Sequence, residues 1–481
     1  MKASIGLFGL AVMGENLALN LEHNGFTVAI CNRTMTKVDI FMAGKGKGKN
    51  FIATHSLPEF VNSLEKPRKI FLMVKAGKPI DQMIDLLLPL LAPGDIIIDG
   101  GNSNYLDTDR RVHEVEKKGM YYVGTGVSGG EEGALHGPAL MPGGSFQAWP
   151  AVKPFLQAIA AKVEGVPCCT WIGEGGSGHF VKMVHNGIEY GDMELICETY
   201  DIMRKILHLD NNQIQLVFRE WDKGVLSSYL IKITADILEF KDEDGLPLVE
   251  KILDVAGQKG TGKWTVIEAL QQGVPLDLIA SAVFMRYLSD LREEREQANK
   301  IFPYDEMPCK ENTEDSIKDL KDALYVARII SYAQGFDLIQ KAKEKYNWSL
   351  QPESIALIWR GGCIIRSVFL GKIAQAFEKN DKLTNLIFDP FFQQAIEQKQ
   401  KGLRHIVAQA AMSGIPLPAF SAALSWFDSY RCVTLPINLL QAQRDYFGAH
   451  TYERTDRQRG QFFHTNWTGH GGTTTSSTYN A

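Results

Sequence analysis

The rhythm of apolar and polar positions changes twice along this chain. From residue 1 to about 175, short apolar runs alternate with amphipathic stretches. Ile5-Phe8, Thr27-Cys31, Lys69-Val74, Asp95-Asp99 and Tyr121-Val123 have the length of buried strands. Helical patterns begin near Met13, Thr34, Pro79 and Asp107. Gly25 follows the first of them, where a left-handed cap closes a helix. Strands alternating with helices predict a doubly wound parallel sheet. From about 178 the pattern is helical almost throughout, with long periodic segments over 178–206, 263–300, 315–346 and 353–379. Inside this region Phe218 to Ile233 reads FREWDKGVLSSYLIKI, and Leu357 to Ile373 reads LIWRGGCIIRSVFLGKI. Both carry Trp, Gly, Ser, an aromatic, Leu and Lys-Ile in order, which predicts a duplicated helical unit. Leu435 to Phe447 suits one more helix. His464 to Ala481 is rich in Gly, Thr and Ser and has no apolar period, the composition of a disordered tail. Trp467 and Tyr479 are costly aromatics for a tail that touches nothing.

The expected organisation is therefore a doubly wound α/β domain over 1–176, an all-α domain over 177–434, and a C-terminal helix and tail over 435–481. The chain's 481 residues suit that number of domains. Net charge is 51 − 56 = −5, so no global basic field points to nucleic acid. Seven cysteines are scattered apart from Cys168-Cys169, without a Cys-x-x-Cys pair. Such a set reads as reduced thiols in the cytoplasm and gives no metal site. No apolar run of about 18 residues would span a membrane. Lys2 and the apolar run Ala3 to Met13 imitate a secretory leader, but Gly6 and Gly9 interrupt the run and Gly14-Glu15-Asn16 ends it. A strand and a loop entering a helix fit better.

That loop is Gly9-Leu10-Ala11-Val12-Met13-Gly14, the Rossmann dinucleotide fingerprint with Ala at the second glycine position. The first Gly permits a tight turn, the small second residue lets backbone approach a pyrophosphate, and the third packs helix on strand. The helix N-terminus then faces the phosphates. After the next strand come Asn32-Arg33-Thr34, where an NAD enzyme carries an acid for the ribose hydroxyls. An arginine and a hydroxyl suit a 2′-phosphate, which favours NADP. Thr34 also suits a helix cap. Val74-Lys75-Ala76, Gly100-Gly101-Asn102 and Val127-Ser128-Gly129-Gly130 follow later strands at the edge where open sheets bind ligands.

The start of the helical region holds a second constellation. Lys182, His185, Asn186 and Glu189 fall at i, i+3, i+4 and i+7, one face of a helix. Lys182 and Glu189 lie about 10 Å apart along the axis, at ~1.5 Å per residue. They are too distant to pair well and well placed to grip two ends of a small molecule. The spacing alone serves a solvated helix edge equally. Gly257 to Lys263 fits most of a phosphate-binding P-loop, but Trp264 stands where a magnesium-binding Ser or Thr is needed. Nucleotide hydrolysis is therefore disfavoured. Lys259 and the nearby amides still suit an oxyanion.

The segments GLAVMG (9–14), NRT (32–34), GGNS (100–103), GVSGGEEGA (126–134), KMVHNGIEYGDM (182–193), ILDVAGQKGTGKW (252–264), QAQRDYFGAHTYE (441–453) and the WTGHGG tail recur in order. Through them the chain resembles the 6-phosphogluconate dehydrogenase family over its full length. The resemblance implies NADP-dependent oxidative decarboxylation of 6-phosphogluconate to ribulose 5-phosphate and CO2. It makes Lys182 the general base and Glu189 the general acid. It gives Asn102, Ser128, Gly129, Gly130, His185 and Asn186 to the sugar-acid chain, with Asn102 also near the cofactor. It gives Tyr190, Lys259 and Arg286 to the substrate phosphate. It further implies a homodimer in which Arg444 and His450 of one subunit complete the phosphate pocket of the other. No metal is required where a lysine supplies positive charge to the developing enolate. The alternative is a non-decarboxylating β-hydroxyacid dehydrogenase acting on a smaller acid. Such an enzyme would not need the cations at 259, 286 and 444.

Overall fold

The computed structural model describes residues 2–303, 313–471 and 475–476. It divides into two compact units, Met1–Ala423 and Leu424–Ala481.

The larger unit opens with alternating strands and helices: β1 (Ile5–Phe8), α1 (Val12–His23), β2 (Val28–Cys31), α2 (Thr36–Ala43), β3 (Phe51–Ala53), α3 (Leu57–Asn62) and β4 (Lys69–Leu72). Then follow α4 (Lys78–Leu87), β5 (Ile96–Asp99), α5 (Tyr105–Glu116), β6 (Tyr121–Ser128), α6 (Gly130–His136), β7 (Ala139–Gly144) and α7 (Trp149–Ile159). The strand order is β3-β2-β1-β4-β5-β6-β7, parallel except for β7 against β6. Alternate residues of each strand enter opposite cores. Ile5, Leu7, Val28, Ile30, Ile96 and Ile98 face one layer of helices. Ala29, Cys31, Ile70, Leu72, Ile97 and Tyr122 face the other. Such two-sided burial is what a parallel sheet demands. Gly25 has φ +88°, and its N–H donates to the Glu22 carbonyl while that of Phe26 reaches Leu21. This is the left-handed closure expected there.

Two strands escape the apolar pattern. β3 has three half-exposed residues at one edge, and β7, at the other, contains Pro142 and two glycines. Proline is tolerated at an edge because fewer ladder bonds are needed there. The cap expected at Thr34 is not formed. The helix boundary falls at Met35, which makes no side-chain cap bond.

A hairpin, β8 (Lys162–Val163) with β9 (Val166–Pro167), leads into α8 (Ser177–Lys205), 29 residues long. The helices α9 (Asn211–Trp221), α10 (Tyr229–Glu239), α11 (Thr261–Gln272), α12 (Asp277–Asp290), α13 (Arg292–Ile301) and α14 (Thr313–Tyr346) follow. After them come α15 (Pro352–Ile358), α16 (Leu370–Lys379), α17 (Pro390–Met412) and α18 (Pro418–Tyr430). The segment 263–300 is thus three helices, and 353–379 is two helices broken by a loop. The two copies of the sequence repeat adopt the same plan. Each has a helix ending at or beside Trp (221, 359), then a loop, then a second helix. The P-loop lookalike enters α11 from a loop after a short 3-10 turn (Leu248–Lys251), with no strand before it.

α8 sits at the centre of this unit because it carries glycine where others must come close. A Cβ on Gly178 would lie 2.4 Å from the carbonyl oxygens of Gly124 and Met141 in the sheet. One on Gly187 would lie 2.7 Å from the Thr265 side chain of α11.

The second unit holds α19 (Ile437–Gly448) and a short hairpin of β10 (Tyr452–Glu453) with β11 (Phe462–Phe463). Residues 464–471 are not the loose tail their composition suggests. The buried Asp445 carboxylate accepts hydrogen bonds from the Thr451 and Thr465 amides and the Trp467 indole, and contacts the His464 ring. Tyr479 lies outside the described residues.

Candidate active site

Lys182, His185 and Asn186 share one buried face of α8. The Lys182 ammonium donates to Asn186 Oδ1 and lies 3.4 Å from His185 Nδ1. Asn186 Nδ2 donates at 3.0 Å to Thr261 Oγ1, in the first turn of α11. His185 Nε2 stands 3.3 Å from Ser128 Oγ at the end of β6. Glu189 is partly exposed, with Oε2 3.7 Å from His185 Nδ1. No ion pair joins Lys182 to Glu189 among the described residues.

Electrostatics separates the two ends of this face. Burial lowers the Lys182 pKa below the usual lysine range, and Lys259 adds to the effect against the opposing pull of Glu189 and Cys363. Burial raises the Glu189 carboxyl, opposed by Lys182, Arg286 and Lys259. His185 is held well below the ordinary histidine range, chiefly by burial. Both end groups are therefore biased toward their neutral forms.

The sheet comes up against this helix directly. A Cβ on Gly126 of β6 would lie 2.4 Å from Lys182 Cβ. Beyond it Gly129 (φ +119°) and Gly130 (φ +63°) turn the chain into α6 in conformations that favour glycine. Asn102 is exposed after β5. Its loop is braced by Asp99, which accepts from the Gly101 amide at 2.9 Å and the Ser103 hydroxyl at 2.6 Å.

At the Glu189 end, the Arg286 guanidinium lies 3.5 Å from the Tyr190 ring centroid and donates to the Gly257 carbonyl. The loop carrying exposed Lys259 leads through Gly260 (φ +91°) into α11, whose Gly262 packs on the same tyrosine ring. Tyr190, Arg286 and this loop thus meet. Arg444 and His450 belong to the smaller unit. There Arg444 donates to Gln441 Oε1, and His450 Nδ1 meets Ser476 Oγ at 2.9 Å.

A cleft of about 510 Å³ opens at the carboxyl edge of the sheet. Gly9, Ala11, Asn32, Arg33, Thr34, Val74 and Lys75 line it. Leu10 and Gly14 are buried, Val12 is exposed, and Met13 is half-buried. Ala76 and Asn102 are not part of its lining. A dinucleotide fits on two counts. A Cβ on Gly14 would lie 1.8 Å from the Gly9 carbonyl oxygen, so helix and strand meet as the fingerprint requires. The start of α1 carries no side-chain cap, which leaves its amides for phosphate oxygens. Asn32 spends its carboxamide oxygen on the Leu10 amide at 2.9 Å, bracing that turn.

Sequence reasoning overlooks several neighbours. Lys37, in the first turn of α2, lines the cofactor cleft with Arg33. Thr261, the partner of Asn186, sat within a motif already noted for its lysine. Trp359 packs on the His185 ring at 5.6 Å, and Cys363 lies close enough to Lys182 to influence it. Nothing in their local sequence signals either contact.

A buried lysine biased toward its neutral form and a dinucleotide cleft, carried in one unit, mark a nicotinamide-dependent dehydrogenase. The family model for the NAD binding domain of 6-phosphogluconate dehydrogenase matches residues 4–173, and that for its C-terminal domain matches 178–467. The chain is 55% identical to the decarboxylating 6-phosphogluconate dehydrogenase 1 of Saccharomyces cerevisiae and 55% identical to the human decarboxylating enzyme, over the full length of each. A solved Plasmodium falciparum 6-phosphogluconate dehydrogenase, studied apo, with NADP+ and with 6-phosphogluconate, superposes with a TM-score of 0.93 at 47% identity. That match covers 96% of this chain and all of that one. This chain belongs to the 6-phosphogluconate dehydrogenase family.

Proposed function

We propose that this chain oxidatively decarboxylates 6-phosphogluconate with NADP, yielding ribulose 5-phosphate, CO2 and NADPH. The observation that carries the reading is the α8 face, where Lys182 sits buried against Asn186 and His185 at one end and Glu189 approaches His185 at the other, each end group biased by burial toward its neutral form. Gly9–Gly14 and Arg33 would hold NADP, which would supply the acceptor for the hydride of carbon 3. Lys182, neutral through burial, takes the proton of the 3-hydroxyl. As an ammonium it then donates to the 3-keto oxygen while the carboxylate departs as CO2, and so offsets the enolate charge. Glu189 delivers a proton to the carbon that lost CO2. Lys182 recovers the hydroxyl proton as the ketone forms. Ser128, Gly129, Gly130, Asn102, His185 and Asn186 hold the sugar-acid chain. Tyr190, Lys259 and Arg286 hold its phosphate.

The active unit is a homodimer in this reading, with Arg444 and His450 of each chain serving the other's phosphate pocket. Both units expose large apolar side chains that suit an interface. These are Leu270, Phe284 and Phe302 in the larger unit and Val433, Leu439 and Phe447 in the smaller. The enzyme works in the cytoplasm, in keeping with six described cysteines that are all free thiols.

One assay tests the reaction. 6-Phosphogluconate with NADP should give NADPH and CO2 in equal amounts, faster than with NAD, and oxidation without CO2 would overturn the reading. Mixing tests the shared site. Lys182→Ala and Arg444→Ala chains, each inactive alone, should regain about a quarter of parental activity when refolded together, because half the dimers carry one intact composite site. No recovery would place Arg444 within its own subunit's site.

Among the described residues no helix is long and apolar enough to cross a membrane.

A further inference from the structure

The duplicated helical unit builds a second polar cavity that the reaction does not use. Its two copies meet at an antiparallel bridge between Ser228 and Ser367. Tyr229 N–H donates to the Arg366 carbonyl at 3.1 Å, and Val368 N–H to the Ser227 carbonyl at 3.2 Å. An open cavity of about 650 Å³ lies along this seam. Lys232 and Lys372 line it, one from the Lys-Ile pair of each copy, together with Arg360 and Arg366.

The cations outnumber their acids. Glu164 and Asp222 are the carboxylates in the lining. Glu164 is 82% exposed and reaches Arg360 only at 3.3 Å, a weakly held pair. Asp222 Oδ1 is taken by the Ser227 hydroxyl and the Ser228 amide. Arg366 is fixed by stacking 3.9 Å from the Tyr229 ring centroid and by donating to the Cys363 carbonyl, neither of which neutralises it. Arg360 Nε is buried without a hydrogen-bond partner. Lys232 forms no ion pair among the described residues. Prepositioned guanidinium groups with lysines on facing helices are the chemistry of phosphate recognition. The volume is that of a small-molecule site.

The cavity is separate from the active site, although one loop borders both. Gly362, between Arg360 and Arg366, turns its carbonyl to the Ala139 amide at 2.7 Å and backs onto Gly129.

We propose that this seam is a second anion site, taking a small metabolite that bears two phosphate groups, one for each copy's lysine. Inorganic pyrophosphate is the probe. It is titrated calorimetrically into the full-length enzyme saturated with 6-phosphogluconate and NADPH, which fill the sites already described. One pyrophosphate should bind per chain. Lys232→Glu and Lys372→Glu, both at exposed helix positions, should each weaken it about tenfold or more while leaving both substrate KM values unchanged. No binding to the saturated parent, or equal binding to parent and both variants, would overturn the site. Sulfate at matched ionic strength binding as tightly as pyrophosphate would overturn the two-phosphate class.

Discussion

Helix α8 carries two groups of buried charge, and they are treated in opposite ways. Toward its middle, Asp192 is fully buried against Arg328 of α14, with guanidinium nitrogens at 3.0 and 3.3 Å and the Tyr332 hydroxyl at 3.5 Å. Arg328 spends a further donor on the Leu226 carbonyl. Ten residues earlier Lys182 is also buried, yet its neighbours are an amide oxygen and a neutral imidazole rather than a carboxylate. The first arrangement joins α8 to α14 through an ion pair in which Arg328 opposes the upward push of burial on the Asp192 carboxyl. The second keeps an ionisable group under tension between its charged and neutral states, the condition a proton-transfer group needs near neutral pH. One helix thus separates structural charge from reactive charge by whether a counter-charge is supplied.

The largest expected effect strikes the reactive group. Lys182→Met should lower kcat by about 10³–10⁴-fold, the upper range for losing a general acid–base group. The base must be neutral and burial depresses its pKa. Activity of the parent should therefore rise with pH as Lys182 loses its proton, at a pH below the usual lysine range. A variant with measurable activity and the same acid limb in its pH–rate profile would break the contrast. Thermal stability should fall little in this variant, since no charge partner is orphaned.

Arg328→Met should do the reverse. Removing one partner of a buried pair typically costs about 3–5 kcal/mol, read from denaturant unfolding. Adding Asp192→Leu should restore most of that loss, because the stranded carboxylate is then gone. A single variant losing less than about 1 kcal/mol would mean that the pair is not what α8 relies on.

Arg33→Ala sharpens the comparison at an exposed charge whose expected partner is the cofactor. The preference for NADP over NAD, as a ratio of kcat/KM values, should fall about 10- to 100-fold. That is the range for losing a charge-assisted hydrogen bond of about 1.5–3 kcal/mol. An unchanged ratio would move discrimination to Lys37 and Thr34.

The same contrast explains what the sequence discloses. The α8 face and the GLAVMG turn are legible because their residues are close in sequence and their geometry follows from helical period and glycine sterics. Thr261, Trp359 and Cys363 are not legible, because their contacts with α8 join residues 75 or more apart. β3 and β7 are hidden because edge strands need neither length nor continuous apolarity. The segment 464–471 misleads by composition. A single carboxylate, Asp445, supplies the order there, and a window-based reading of Gly and Thr content has no means of registering one distant acid. Thr34 misleads in another way, for a good capping residue near a helix start is free to leave the role unfilled.

Gly126 gives the site its precision. The stem of the proposed base lies flush against the sheet backbone, in space that even a methyl group would fill. The sheet that carries the dinucleotide cleft and the helix that carries the lysine therefore meet in direct contact. Hydride acceptor and proton acceptor would then be set at a fixed spacing before substrate arrives, so binding has only to bring carbon 3 and its hydroxyl to a gauge already cut.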